Sequence, residues 1–199
     1  LIMLVKAILI GLVSAWGVLD YQFGTLYTFR PLVLSVIVGA ILGDVHQGII
    51  IGANLELLFM GAISVGAYIP PDVNVGGVLA TAFAISMGKS VEAAVALAMP
   101  IATLALGISN ILAAVTPVFL KIADKGAEEG NYKKVVFTHW LMGTISVVEK
   151  FLLVTFAFYL GADKVQSLLD FIPQFILDGM GVAAGMLPAM GFAMLLRMI

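Results

Sequence analysis

The sequence predicts an all-α, polytopic integral membrane protein with broken helices and re-entrant hairpins. Three observations lead there. Of 199 residues, 62% are apolar and 11% charged, where soluble domains carry roughly 45–50% and about 25%. Uncharged runs recur at the length of a bilayer crossing, about 20 residues for about 30 Å of hydrocarbon. Between Asp20 and Lys89 these runs shorten, while glycines and the Pro70-Pro71 pair accumulate. Ten Lys and Arg stand against twelve Asp and Glu with no basic block, so nothing favours nucleic acid. The lack of cysteine excludes disulfides and thiol chemistry. His46 and His139 are too few and too distant in sequence for a metal centre, and no cofactor is expected.

The stretch up to Leu19 carries only Lys6. It resembles a signal sequence, but no small-residue cleavage site leads into a polar chain, so a retained membrane helix is expected. Four short uncharged runs follow: Pro31 to Gly43, Val45 to Leu55, Leu57 to Pro71 and Val73 to Gly88. None is long enough for an untilted crossing. Proline removes amide donors, and irregular backbone survives at membrane depth only inside protein or beside a wet cavity. Short runs, breaks and intramembrane carboxylates are the pattern of a transporter's substrate site. Ala93 to Leu120 is a full span of 28 uncharged residues, with Pro100 and Pro117 near its ends. Lys121 to Lys134 holds seven charges in fourteen residues and is expected to be a polar loop in water. Its four lysines, and the absence of Lys or Arg between Arg30 and Lys89, lean it towards the cytoplasm. Val135 to Leu160 is a span interrupted by Glu149 and Lys150, and Gly179 to Leu196 is a further span of 18 uncharged residues. No internal repeat or linker divides the chain, so residues 1–199 read as one membrane domain.

The run GDVHQGIIIGANLELLFMGAISVGAYIPPDVNVGG at 43–77, LDYQF at 19–23 and FRP at 29–31 carry a resemblance that covers nearly the whole chain. ADKGAEEGN at 123–131 and GMGVAAGMLPAMGFAMLLRMI at 179–199 extend it. Together these resemble the IIC subunit of the mannose-family sugar phosphotransferase system, whose members handle mannose, fructose, sorbose or N-acetylgalactosamine. The resemblance implies a subunit of the bacterial inner membrane that translocates a hexose or amino sugar. Its implied partners are a IID membrane subunit and the phosphocarrier proteins IIA and IIB, in a trimer of IIC–IID pairs. The C-terminal segment looks closer to the members for N-acetylgalactosamine. The family usually starts a little earlier and continues further, so incomplete chain ends are expected.

A sugar presents hydroxyls that each donate and accept, so its site calls for carboxylates and amides beside apolar or aromatic faces. The substrate-site region is expected at about 19–77. Glu56 and Asn54 are the first candidates, brought together if the chain is unwound between Gly52 and Gly61. The alternative for Glu56 is a hydrogen bond to freed backbone or a pair with a basic group of the partner. Asp20 and Gln22 end the first helix, and the resemblance places them near the sugar; a wetted carboxylate at a helix end is the plain alternative. Asp72 and Asn74 follow Pro70-Pro71, where Asp72 suits a helix cap and Asn74 a site. Asp44, Gly48 and Gly52 read as turn and close-packing architecture. Neither His46 nor His139 is expected to carry phosphate, which the resemblance assigns to IIA and IIB; the chain itself supplies no catalytic residue. Glu149 and Lys150, adjacent and so on different helix sectors, are each expected to find a separate partner. Two rival functions remain open at this point: an ion-coupled carrier of a small polar solute, and a purely structural membrane subunit.

Overall fold

The computed structural model describes residues 2–62 and 69–171, with 162–171 described by backbone alone. These residues form helices α1 (Ile2–Gln22), α2 (Pro31–Leu42), α3 (Val45–Leu58), α4 (Val73–Ser86), α5 (Val91–Glu128) and α6 (Tyr132–Phe171). Ile2–Gln22, Val91–Glu128 and Tyr132–Gly161 are long and apolar enough to cross a membrane, matching three of the expected spans. The fourth, Gly179 to Leu196, lies outside the described residues. Helices α2, α3 and α4 have 12, 14 and 14 residues, so at 1.5 Å per residue they reach only about 18–21 Å. They stop short of the roughly 30 Å of hydrocarbon, as the short runs predicted.

Helices α2 and α3 form a tight hairpin. Pro31 opens α2 at a position where its missing N–H costs nothing, and Gly43 ends it in the left-handed region at φ 97°. Asp44 then caps α3, its side chain accepting from the Gln47 N–H at 2.9 Å. Behind the turn the two backbones touch. A Cβ added at Gly48 would meet the Ser35 carbonyl at 2.6 Å, and one at Gly39 would meet the Asp44 carbonyl at 2.6 Å. The expected architectural reading of Asp44 and Gly48 is therefore what the structure contains.

Helix α4 is the wedge of the core. Twelve of its fourteen residues are buried, so it must be walled on all sides. Gly77 lies over Pro31 of α2, and Gly76 against Ala98 and Ala102 of α5. The fully buried hydroxyls of Ser35 and Thr81 meet at 2.8 Å, satisfying each other where water is absent. Pro31 beside Gly77 and Ser35 beside Thr81 set α2 and α4 running in the same direction. Their distal ends meet at one end of the bundle, where Leu42, Ile85 and Met87 line a small cavity with Met3, Lys6 and Phe158. The other ends of α2 and α4, and the C-terminal end of α3, face the opposite way.

The Lys121–Lys134 stretch departs from expectation. It is not a polar loop: α5 continues to Glu128, α6 begins at Tyr132, and only Glu129–Asn131 connect them. Ala, Lys and Glu are strong helix formers, and Lys125 and Glu129 pair at i,i+4. Gly130 supplies the left-handed residue at φ 64°, and the Asn131 side chain accepts from the Lys134 N–H at 3.4 Å. The stretch is largely exposed, as its charge demands.

Candidate functional site

Charged side chains gather near the Pro31, Leu58 and Val73 ends of the short helices. Asp20, near the end of α1, is buried at 3% exposure. Its Oδ1 accepts from the Leu26 N–H at 3.0 Å and its Oδ2 from the Phe29 N–H at 3.4 Å. Those bonds hold the α1–α2 loop, in which Thr25 and Tyr27 take positive φ of 59° and 64°, a conformation costing a non-glycine residue roughly 1–2 kcal/mol. The carboxylate is therefore a loop organiser rather than the wetted helix end offered as its alternative. Gln22, two residues on, reaches α6, donating from Nε2 to the Gly143 carbonyl at 3.2 Å.

Glu56 meets Arg30. The Arg30 Nε donates to Oε1 at 2.7 Å, Arg30 Nη2 donates to the Phe59 carbonyl at 3.2 Å, and the Leu32 N–H donates to Oε2 at 3.3 Å. The side chains of Arg30 and Glu56 are 15% and 24% exposed, so the pair is half-desolvated yet still open on one side. Asn54 is not beside it. Helix α3 is regular to Leu58, and residues two apart lie on nearly opposite faces; Asn54 Nδ2 donates instead to the Ile50 carbonyl at 2.9 Å. The unwinding expected from Gly52 onward is thus corrected to a helix ending at Leu58.

Asp72 caps α4, its Oδ1 accepting from the Val75 N–H at 3.0 Å. Its Oδ2 lies 2.7 Å from Lys150 Nζ. Lys150 also reaches Glu149 Oε1 at 3.2 Å and the Ser109 hydroxyl, which itself lies 2.9 Å from Glu149 Oε1. Separate partners for Glu149 and Lys150 were expected, and the structure overturns this. Ser109 on α5 and Asp72 at the end of α4 draw both side chains into one cluster. Asn74, the second residue of α4, donates from Nδ2 to the Ser14 carbonyl at 2.8 Å; its buried Oδ1 has no partner among the described residues.

The six candidates are not gathered in one cavity. Glu56 sits near the C-terminal end of α3, Asp72 and Asn74 at the start of α4, Asp20 and Gln22 at the end of α1, and Asn54 faces away. A groove of about 750 Å³ between α1, α5 and α6 takes in Gln22, with Phe23, Thr138, His139, Trp140 and Ser146. Sequence reasoning missed Arg30 and the joint role of Lys150. Arg30 was discoverable: Arg30 and Glu56 each lie thirteen residues from Gly43, so a helical hairpin turning there brings them level.

The family model described as "PTS system sorbose-specific IIC component" matches residues 4–199. The mannose-specific EIIC component of Escherichia coli K12 is 32% identical over 90% of this chain and 66% of its own length. The N-acetylgalactosamine permease IIC component 1 of the same organism is 31% identical over 96% of this chain and 71% of its own. The chain thus spans about two thirds of the length of these relatives. Among solved structures, the mannose transporter ManYZ in complex with microcin E492 superposes with a TM-score of 0.74 at 28% identity, covering 98% of this chain and 79% of the other. With a match across nearly all its residues and a shared helical membrane fold, the chain belongs to the family of sorbose-type IIC components of sugar phosphotransferase systems.

Proposed function

We propose that this chain is the sugar-translocating IIC subunit of a phosphoenolpyruvate-dependent phosphotransferase system in a bacterial inner membrane. It binds a hexose or amino sugar and presents it to IIB for phosphorylation. The observation that carries this is the group of Asp20, Glu56 and Asp72 near helix ends and Glu149 midway along α6, balanced only by Arg30 and Lys150 among its own members. Surplus acceptors at membrane depth suit a neutral polyhydroxyl ligand, which brings donors without bringing charge. Glu56 keeps unused lone pairs beside Arg30, so the two can accept from and donate to one sugar. Asp20, Gln22, Asn54, Asp72 and Asn74 are the accompanying candidates, with Asn54 now the least favoured because it faces its own helix.

The ManYZ relative supports a membrane partner for this chain, which the sequence resemblance identifies as IID; IIA and IIB carry the phosphate, and the assembly is a trimer of IIC–IID pairs. The mannose and N-acetylgalactosamine relatives stand at nearly equal identity, so the sugar is left at the level of hexose or amino sugar. Phosphorylation traps the product, because a sugar phosphate carries about two negative charges and is repelled by a carboxylate-lined site. The test is uptake in vesicles containing this chain, IID, IIA and IIB. Accumulation of sugar phosphate driven by phosphoenolpyruvate and insensitive to an uncoupler is expected. Collapse on adding the uncoupler alone would select the ion-coupled carrier instead.

A further inference from the structure

We propose that Lys150 is a positioning residue: its ammonium holds the Asp72 carboxylate, and through it the first turn of α4, against α5 and α6. The inference rests on the reading of Asp72 as part of the sugar site. Helix α4 begins just after Pro70-Pro71, and residues 69–72 leading into it are not helical. Three contacts hold its first turn. The Asp72 N–H donates to the Ala102 carbonyl of α5 at 3.1 Å, Oδ1 caps the helix, and Oδ2 takes Lys150 of α6 at 2.7 Å. The last is the contact made by charge, and the side chains of Lys150 and Asp72 are only 11% and 14% exposed. A lysine in a membrane span is costly unless it is paired, so its place implies a task.

Asp72, not Glu149, is the carboxylate that depends on it. Glu149 Oε1 lies farther from the ammonium, at 3.2 Å, beside the Ser109 hydroxyl at 2.9 Å, whose single proton also has the Ala105 carbonyl within reach at 3.0 Å. Asp72 Oδ2 has Lys150 alone among the described residues. Removing the ammonium takes the shared cation from both carboxylates; Asp72 keeps its Oδ1 cap but loses the tie from Oδ2 to α6, and an uncompensated buried charge is the strongly destabilising case. The first turn of α4, with Asp72 and Asn74, would then lose its fixed place relative to α5.

The complex of this chain with IID is compared as wild type, Lys150→Met, Lys150→Met with Asp72→Asn, and Lys150→Met with Glu149→Gln. Melting temperature and equilibrium binding of radiolabelled mannose and N-acetylgalactosamine are read for each. Lys150→Met lowers the melting temperature by roughly 10 °C. Asp72→Asn, which keeps a capping side chain, restores most of that loss, and Glu149→Gln does not. Sugar affinity in the Asp72→Asn double variant stays at least about tenfold weaker, because the held carboxylate is gone. If Lys150→Met fails to fold, the ranking of the two double variants still decides. Rescue by Glu149→Gln, rescue by neither, an unchanged Lys150→Met, or full recovery of affinity with Asp72→Asn overturns the proposal. A wild-type complex that binds neither sugar counts against the proposed function, while the melting order continues to judge Lys150.

Discussion

Glu56 has two duties to separate, since the carboxylate that faces the proposed sugar site also closes the α2–α3 hairpin through Arg30 at 2.7 Å. Hydrogen bonds to charged groups contribute about 1.5–3 kcal/mol. At about 1.4 kcal/mol per factor of ten, Glu56→Gln is expected to weaken sugar binding by roughly 10- to 150-fold. Arg30→Met serves as the comparison. If Glu56 only closes the hairpin, the two variants lower thermal stability alike, their double variant costs little more, and sugar affinity stays within about threefold. Equilibrium binding and melting on the same preparations separate these outcomes. At the same scale, His46 and His139 are both exposed, yet neither joins the charged group. His139 instead packs edge-on to Trp140 at 6.1 Å. Replacing both with glutamine is expected to leave phosphotransfer to sugar detectable in the assembled system. Complete loss at normal membrane levels would return a phosphate-carrying histidine to this chain.

Among the elements, the long spans were legible because length and apolarity alone define a crossing, and α1, α5 and α6 follow them. The short runs were legible as incomplete crossings, but not as helix or coil. Asn54 and Glu56 were read as lying in an unwound stretch, yet α3 runs on to Leu58, because packing against α2 overrides the cost of glycine in a helix. Lys121 to Glu128 was misread for the opposite reason: charge fixes exposure to water, not backbone conformation, and a solvated helix is equally polar. The Lys150 cluster was invisible, since it depends on Asp72 and Ser109, which lie far away in sequence. The hairpin contact gives a sharp test of the packing account. At Gly48 a methyl group would meet the Ser35 backbone oxygen at 2.6 Å, which cannot yield as a side chain can, so Gly48→Ala is expected to destabilise by about 1–3 kcal/mol. Gly107, also helical, has open space around the added atom; there alanine should be neutral or stabilising by up to about 1 kcal/mol. Equal effects at the two sites in a melting experiment would dismiss backbone contact as the reason for glycine at 48.

For the whole molecule the question of direction is which side of the membrane receives the Pro31, Leu58 and Val73 ends of α2, α3 and α4. Measured along α4 from its C-terminal end at Ser86, Asp72 lies about 21 Å in. Helices α5 and α6 continue past that level to the exposed Glu129–Asn131 connection, whose flanks hold Lys121, Lys125, Lys133 and Lys134. From that level the connection is about 27 Å away along α6, farther than the Gly43 and Gly88 turns. Lysine-rich flanks favour the cytoplasm, which would turn the Pro31, Leu58 and Val73 ends of the short helices towards the side where IIB delivers phosphate. The chain contains no cysteine, so a single introduced thiol reports without background. Glu128→Cys and Asn131→Cys, both at exposed positions, should resist an impermeant maleimide in intact cells and react once the membrane is opened. A cysteine at exposed His46, beside the Gly43 turn, should do the reverse. Rapid labelling of Glu128→Cys from outside, with His46→Cys protected, would invert the molecule and turn those helix ends towards the outer surface, away from IIB.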